Sequence, residues 1–151
     1  MHFSKFLLYC SILAFSIQKE VCAQEYWVQK FGGLGGDGVH DVVVGPDDHI
    51  YVAGEFTAGM EVDGQPLNSA GASDGFVAKL SPTGDLEWMK RAGGPTIDRC
   101  WKLALGIDGS LAVTGQYMGP ADLFGTSVPG SNNTWNAFLA KLDPATGDAL
   151  W

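Results

Sequence analysis

The residue types that could do chemistry are few in this 151-residue chain, and several of them occur twice. His40 and Asp41 are adjacent, as in half of a catalytic dyad. Along a strand, however, consecutive side chains project to opposite faces, so the two would not meet. The carboxylates Asp37 and Asp98, and likewise Asp47 and Asp108, could supply the acid and base of glycoside hydrolysis. Each pair, though, is one residue met at the same phase of a repeated segment. A residue needed in every copy performs a structural task, and an aspartate in a turn caps its own backbone amides. Asp47, Asp48, Glu61 and Asp63 offer oxygen ligands to a hard cation, but no D-x-D-x-D-G loop is present. Gly32 to Gly36 (GGLGG) is glycine-rich, yet no helix follows whose N-terminus could cradle a phosphate, so a flexible turn is expected. Asn132-Asn133-Thr134 is an N-x-T acceptor in an expected loop. His49 falls at a turn-to-strand step and reads as a surface residue. Tyr117 and Trp135, expected in loop-rich stretches, are the aromatic residues best placed to stack on a sugar or a partner surface. No residue is expected to serve as a catalytic group, a cofactor contact or a metal ligand.

The elements that must carry these residues follow from an internal repeat. Trp27 recurs at Trp88 and again at Trp151, and WVQKFGG (27–33) matches WMKRAGG (88–94). In the same register Gly32 and Gly33 meet Gly93 and Gly94, Asp37 meets Asp98, and Gly54 meets Gly115. FVAKL, starting at Phe76, returns as FLAKL, starting at Phe138, and SPTGDLEW (81–88) returns as DPATGDALW (143–151). Ordered identities over some 60 residues define a tandem repeat. Each copy reads as four short β segments. The first is 26–31 or 86–91. The second and third are joined by a tight Gly-Pro-Asp-Asp or Gly-Ile-Asp-Gly turn, and the fourth is the FxAKL strand after a loop-rich stretch of about twenty residues. Outside the N-terminus nothing keeps a 3.6-residue period, so the chain is predicted to be all-β. The runs VVV, IYVA and FVA are continuous rather than alternating, which predicts sheets covered on both faces, as in radially stacked β-propeller blades.

The order W-x-x-x-x-G-G, Asp, strand-turn-strand ending in V-x-G, then F-x-A-K-L-x-P-x-G-x-x-x-W resembles the SBBP-type β-propeller repeat found in large exported bacterial proteins. The resemblance covers about 125 residues. It implies four-stranded blades around an axis and placement at the cell surface or outside the cell, and it brings no catalytic residues with it. KLDPATGDALW (141–151) is also similar to the Trp-docking motif of quinoprotein propellers, where it packs blades together. The organisation expected is a first blade at 24–87, a second at 88–150, and a third beginning at Trp151. Two blades fall short of the four to eight of a propeller. The chain is therefore expected to be part of a longer ring or to complete one by self-association.

Phe6 to Ile17 is an apolar run of signal-peptide length behind Lys5, and Val21-Cys22-Ala23 supplies a cleavage site that would leave Gln24 as the first residue. Beyond it, seven Lys and Arg stand against sixteen Asp and Glu, a balance that disfavours nucleic acid and anionic lipid as partners. No later segment is apolar enough to span a membrane. All 21 glycines lie beyond residue 23, as a turn-rich fold requires, and Cys100 is the one cysteine left, reading as a small buried hydrophobe. The function expected is a secreted or cell-surface, non-catalytic interaction or adhesion scaffold whose partner is a protein or carbohydrate. The alternative is the leading part of a propeller enzyme, hydrolytic or quinone-dependent, with its active site in other blades.

Overall fold

The computed structural model describes residues 26–151, so the export segment expected at 1–23 lies outside the described residues. Every regular element among these residues is a β-strand. After β1 (Gly32–Gly33) come β2 (Asp37–Val44) and β3 (Ile50–Phe56), then a hairpin of β4 (Gly59–Val62) and β5 (Gln65–Asn68). β6 (Asp74–Leu80) and β7 (Leu86–Gly93) complete an antiparallel meander in the order β2-β3-β6-β7. The pattern then restarts with β8 (Asp98–Leu105), β9 (Leu111–Met118), a hairpin of β10 (Ala121–Leu123) and β11 (Thr126–Val128), and β12 (Trp135–Leu142). These give a second antiparallel sheet, β12-β9-β8. Neither sheet closes on itself among the described residues.

The two sheets match in register as well as in order. In β2–β3 a bulge falls between Val39 and Asp41, with Val39 opposite Gly54. In β8–β9 the bulge falls between Cys100 and Lys102, with Cys100 opposite Gly115. A side chain at either glycine would strike the backbone oxygen of Gly38 or Arg99 and the ring of Phe76 or Phe138, so the bulge and the phenylalanine together demand glycine there. The connecting turns repeat too: Gly45 N–H donates to His49 C=O at 2.8 Å, and Gly106 N–H to Ser110 C=O at 2.8 Å.

Burial shows why the strand runs are apolar throughout. The sheets stack face to face. Tyr51, Ala53, Val77, Trp88 and Ala92 on the first meet Leu103, Leu111, Val113, Ala140 and Leu142 on the second. The alternate residues Val52, Phe56, Phe76, Ala78 and Leu80 point the other way and pack with Met60 and Val62 of the β4–β5 hairpin. Both faces of β3 and β6 are thus dry, as the continuous IYVA and FVA runs require. VVV departs from that reading: Val42 and Val44 are exposed, because β2 is an edge strand whose second face has no neighbour among the described residues.

Four further expectations are corrected. Residues 26–31 do not form a strand, since only Gly32 and Gly33 find a partner, in β4. For the same reason GGLGG is a strand at its first two residues rather than wholly a turn. The loop-rich stretches fold into the hairpins β4–β5 and β10–β11, turned at Asp63-Gly64 (φ 50° and 72°) and Phe124-Gly125 (φ 56° and 90°). Two successive positive φ values give the tight turn that suits strand twist, and Asp-Gly is among its preferred pairs. Tyr117 and Trp135 lie in strands β9 and β12 rather than in loops.

Candidate functional site

The repeat positions are brought together at the join between the sheets. β4 adds to β1 with Gly32 opposite Glu61, and β10 adds to the end of β7 with Gly93 opposite Asp122. Each hairpin is thereby stitched to the strand that precedes its own sheet. Gly33 and Gly94 lie too close to the backbone at Gly59 and Pro120 for any side chain. Asp37 accepts the Gly33 N–H at 2.9 Å, and Asp98 accepts the Gly94 N–H at 2.6 Å and the Met118 N–H at 3.0 Å. The tryptophans dock on turns. The Trp88 ring lies against Gly147 and its Nε1–H donates to the Pro144 carbonyl at 3.1 Å, while the Trp27 ring lies against Gly84. Trp88 is 9% exposed, Trp27 40% and Trp151 65%.

Two polar clusters at this join do not repeat. In the first, Asp74 and Asp98 are fully buried and face each other across Gly93. A side chain at Gly93 would lie 2.5 Å from one Asp74 oxygen and 2.9 Å from one Asp98 oxygen. Asp74 Oδ2 accepts the Ala70 N–H at 2.6 Å and lies 3.6 Å from Arg91 Nε, whereas Oδ1 has no hydrogen-bond donor among the described residues. Burial pushes the Asp74 carboxyl up to about 6, against the pull of Ala70 and Arg91, and Asp98 reinforces the rise. Burial raises Asp98 as well, opposed by its two backbone donors. The pair therefore holds a proton at mildly acid pH and is strained by charge above it. Asparagine stands at the position matching Asp74, Asn136, so the repeat alone could not reveal the pair.

In the second cluster Arg99 is ion-paired to Glu55, with its guanidinium 5.7 Å from the Trp101 ring centre and 5.6 Å from that of Trp135. His40 stacks on Trp101 at 4.3 Å and donates from Nδ1 to the Cys100 carbonyl at 3.0 Å. Asp41 does not serve His40. It accepts the Leu103 N–H at 2.8 Å, which holds it below the ordinary carboxylate range, and lies 3.5 Å from Lys102. Trp135 is 42% exposed beside the paired arginine. Tyr117 donates its hydroxyl to the Pro129 carbonyl at 3.1 Å.

The remaining candidates are spread apart. Asp47 lies 2.9 Å from His49, whose Nε2 is 2.8 Å from Glu87. Asp108 accepts from Lys141 and Ser110, which hold it well below its usual range. Asp63 accepts the Leu86 N–H at 2.7 Å. Among the described residues no three His, Cys, Asp or Glu side chains stand where they could hold a metal ion. Cys100 is buried, and burial raises its thiol far above the usual value. No family model matches the chain, and no curated protein matches it. The class that fold and site define is an all-β chain of several antiparallel sheets, joined by repeated hairpins.

Proposed function

We propose that the chain supplies two consecutive blades of a β-propeller in an exported, non-catalytic repeat protein of the SBBP type, acting as an extracellular or cell-surface scaffold for protein or carbohydrate partners. One observation carries the reading. The first three strands of the meander and their stitching hairpin recur about 61 residues later as β8, β9, β12 and the β10–β11 hairpin, with the same bulge and the same turn. A unit that stacks the back of one sheet on the front of the next propagates around an axis when each step adds a constant rotation. Further support is that Asp98 spends both oxygens, and Asp37 one, on backbone amides, as structural residues do.

Concatenated copies of the 61-residue unit test the reading. A propeller predicts a sharp gain in melting temperature and a compact monomer at one copy number between about four and eight. An open stack predicts a steady gain with no such step, and that result would remove the propeller. The closed ring is then assayed on a glycan array and against the surface proteins of the producing cells. Turnover of glycosides or of quinone-linked alcohols would remove the non-catalytic part of the reading.

A further inference from the structure

We infer that the cleft between the two sheets, at the starts of β2 and β8, binds a neutral sugar residue, with Glu55 and Arg99 reading two adjacent hydroxyls. The inference rests on the scaffold reading above and narrows its partner to a glycan. The cleft has a volume of about 470 Å³, and its lining includes Gly36, Gly38, Glu55, Ser73, Ile97 and Arg99. It opens where the starts of β2, β6 and β8 meet the end of β3, with Ser73 bridged to Ile97. Both walls therefore belong to the join itself, β3 on one side and β8 on the other.

The polar groups of the cleft are only half used. Arg99 Nε–H is bonded to Glu55 Oε2, which leaves the N–H groups of its terminal nitrogens without a partner among the described residues. Glu55 Oε1 lies 3.7 Å from His40 Nε2, too far for a hydrogen bond. The guanidinium sits 5.7 Å from the centre of the Trp101 ring, which fixes its plane, so little freedom is lost when it takes a guest. Ser73 is only 7% exposed, and its hydroxyl has no hydrogen-bond partner among the described residues. Asp37, which also lines the cleft, has a donor on Oδ2 but none on Oδ1. Buried polar atoms are seldom left so, and here they mark a place where a guest supplies what is missing.

The chemistry selects that guest. Asp37 and Glu55 outnumber Arg99, so the cleft repels phosphates and uronates. An ammonium group serves the carboxylates but leaves the guanidinium N–H groups unused. A divalent cation finds no set of three His, Cys, Asp or Glu side chains among the described residues. A hydroxyl both donates and accepts, so two on neighbouring ring carbons donate to Glu55 Oε1 and accept from Arg99 together. The pair occurs once, because the repeat-mate of Glu55 is Gln116 and that of Arg99 is Gly38. Recognition is thus a property of this join and not of the repeat.

Titration of the full chain, read by tryptophan fluorescence, tests the site. The probes are the methyl glycosides of glucose, galactose, mannose and fucose, with glucuronate, inorganic phosphate and calcium chloride each added alone. Glu55→Gln keeps the shape and removes the carboxylate. Gly36→Leu fills the cleft, and its Cβ meets only Thr57 Oγ1, at 3.8 Å, so the strand accepts it. Urea melts establish that each variant is folded. The inference expects saturable binding of at least one neutral glycoside, at least about tenfold tighter than glucuronate, and a loss of about tenfold or more in each variant, as for one charge-assisted hydrogen bond. It is overturned if no glycoside saturates, if glucuronate or phosphate binds as well, if calcium alone gives the signal, or if binding survives in either folded variant. Glycan recognition that survives both variants leaves the scaffold reading in place and removes this site. Glycoside binding at the cleft with no step in the concatemer series removes the propeller alone.

Discussion

Replacing Asp74 by asparagine, the residue its repeat-mate Asn136 already is, should remove most of the pH dependence that the buried carboxyl pair imposes. In the native chain the Asp74 carboxyl titrates near 6 rather than at 3.8. The folded state therefore keeps a proton that the unfolded chain releases, and stability falls as pH rises from about 4 through about 6. At about 1.4 kcal/mol per pH unit, the span from 3.8 to about 6 costs the native state about 3 kcal/mol by pH 8. Asparagine keeps the shape, accepts the Ala70 N–H, and offers its amide to Asp98 across Gly93. It forgoes attraction to Arg91, whose Nε lies 3.6 Å away and which is itself one-third exposed, so the expected gain is about 2 kcal/mol at pH 8. The gain should fall to under about 1 kcal/mol at pH 4 and vanish below about pH 3, where the carboxyl is protonated in both states. Urea melts of the two proteins at pH 4, 6 and 8, at one protein concentration, give the difference directly and cancel the background of an acidic chain. A variant less stable than the parent at pH 8, or a difference that does not change between pH 4 and 8, would refute the account of a charge-strained pair.

Gly115→Ala should cost about 3 kcal/mol or more, because the new methyl strikes the Arg99 carbonyl oxygen and the Phe138 ring, whereas Gly109→Ala, in open space at φ 79°, should cost only about 1 kcal/mol. Denaturant melts that rank the two the other way would contradict the bulge assignment. Trp88→Ala should lose about 3–5 kcal/mol, the range for a large buried aromatic; a loss under about 1 kcal/mol would show that its docking on the Gly147 turn carries little. N-terminal sequencing of secreted protein should begin within about two residues of Gln24, and recovery of Met1 from the medium would exclude cleavage.

The repeat was legible because it depends on residue types that tolerate no substitute. Gly54 and Gly115 face a bulge and a phenylalanine, and Trp27 and Trp88 each need a glycine turn to lie on. The all-β character followed from short turn-bounded β segments with no 3.6-residue period beyond the N-terminus, and the covered faces of β3 and β6 from the continuous IYVA and FVA runs. The hairpins were missed because β4–β5 and β10–β11 are three- and four-residue strands in polar, glycine-rich sequence, too short for alternation to show. The Asp63-Gly64 pair was the one local sign of the first, while Phe124-Gly125 gave none for the second. The polar join was missed for another reason: Asp74 with Asp98, and Arg99 with Glu55, are partners 24 and 44 residues apart that meet only once the sheets stack. Asp74, Glu55 and Arg99 sit at positions where the two copies differ, so a search for recurrence finds Asp98 but passes over its partner.

Each hairpin is bonded to the strand before its own sheet, so the covalent repeat and the hydrogen-bonded unit are out of step. The first meander draws its last strand, β7, from the second copy of the sequence motif. A genetic duplication or loss that joins equivalent positions, 61 residues apart at Asp37 and Gly54 and 62 apart at Phe76, regenerates a whole meander with its hairpin in register. The architecture is therefore tolerant to unequal recombination at any breakpoint, and the length of such a protein can drift between lineages without a folded intermediate being lost.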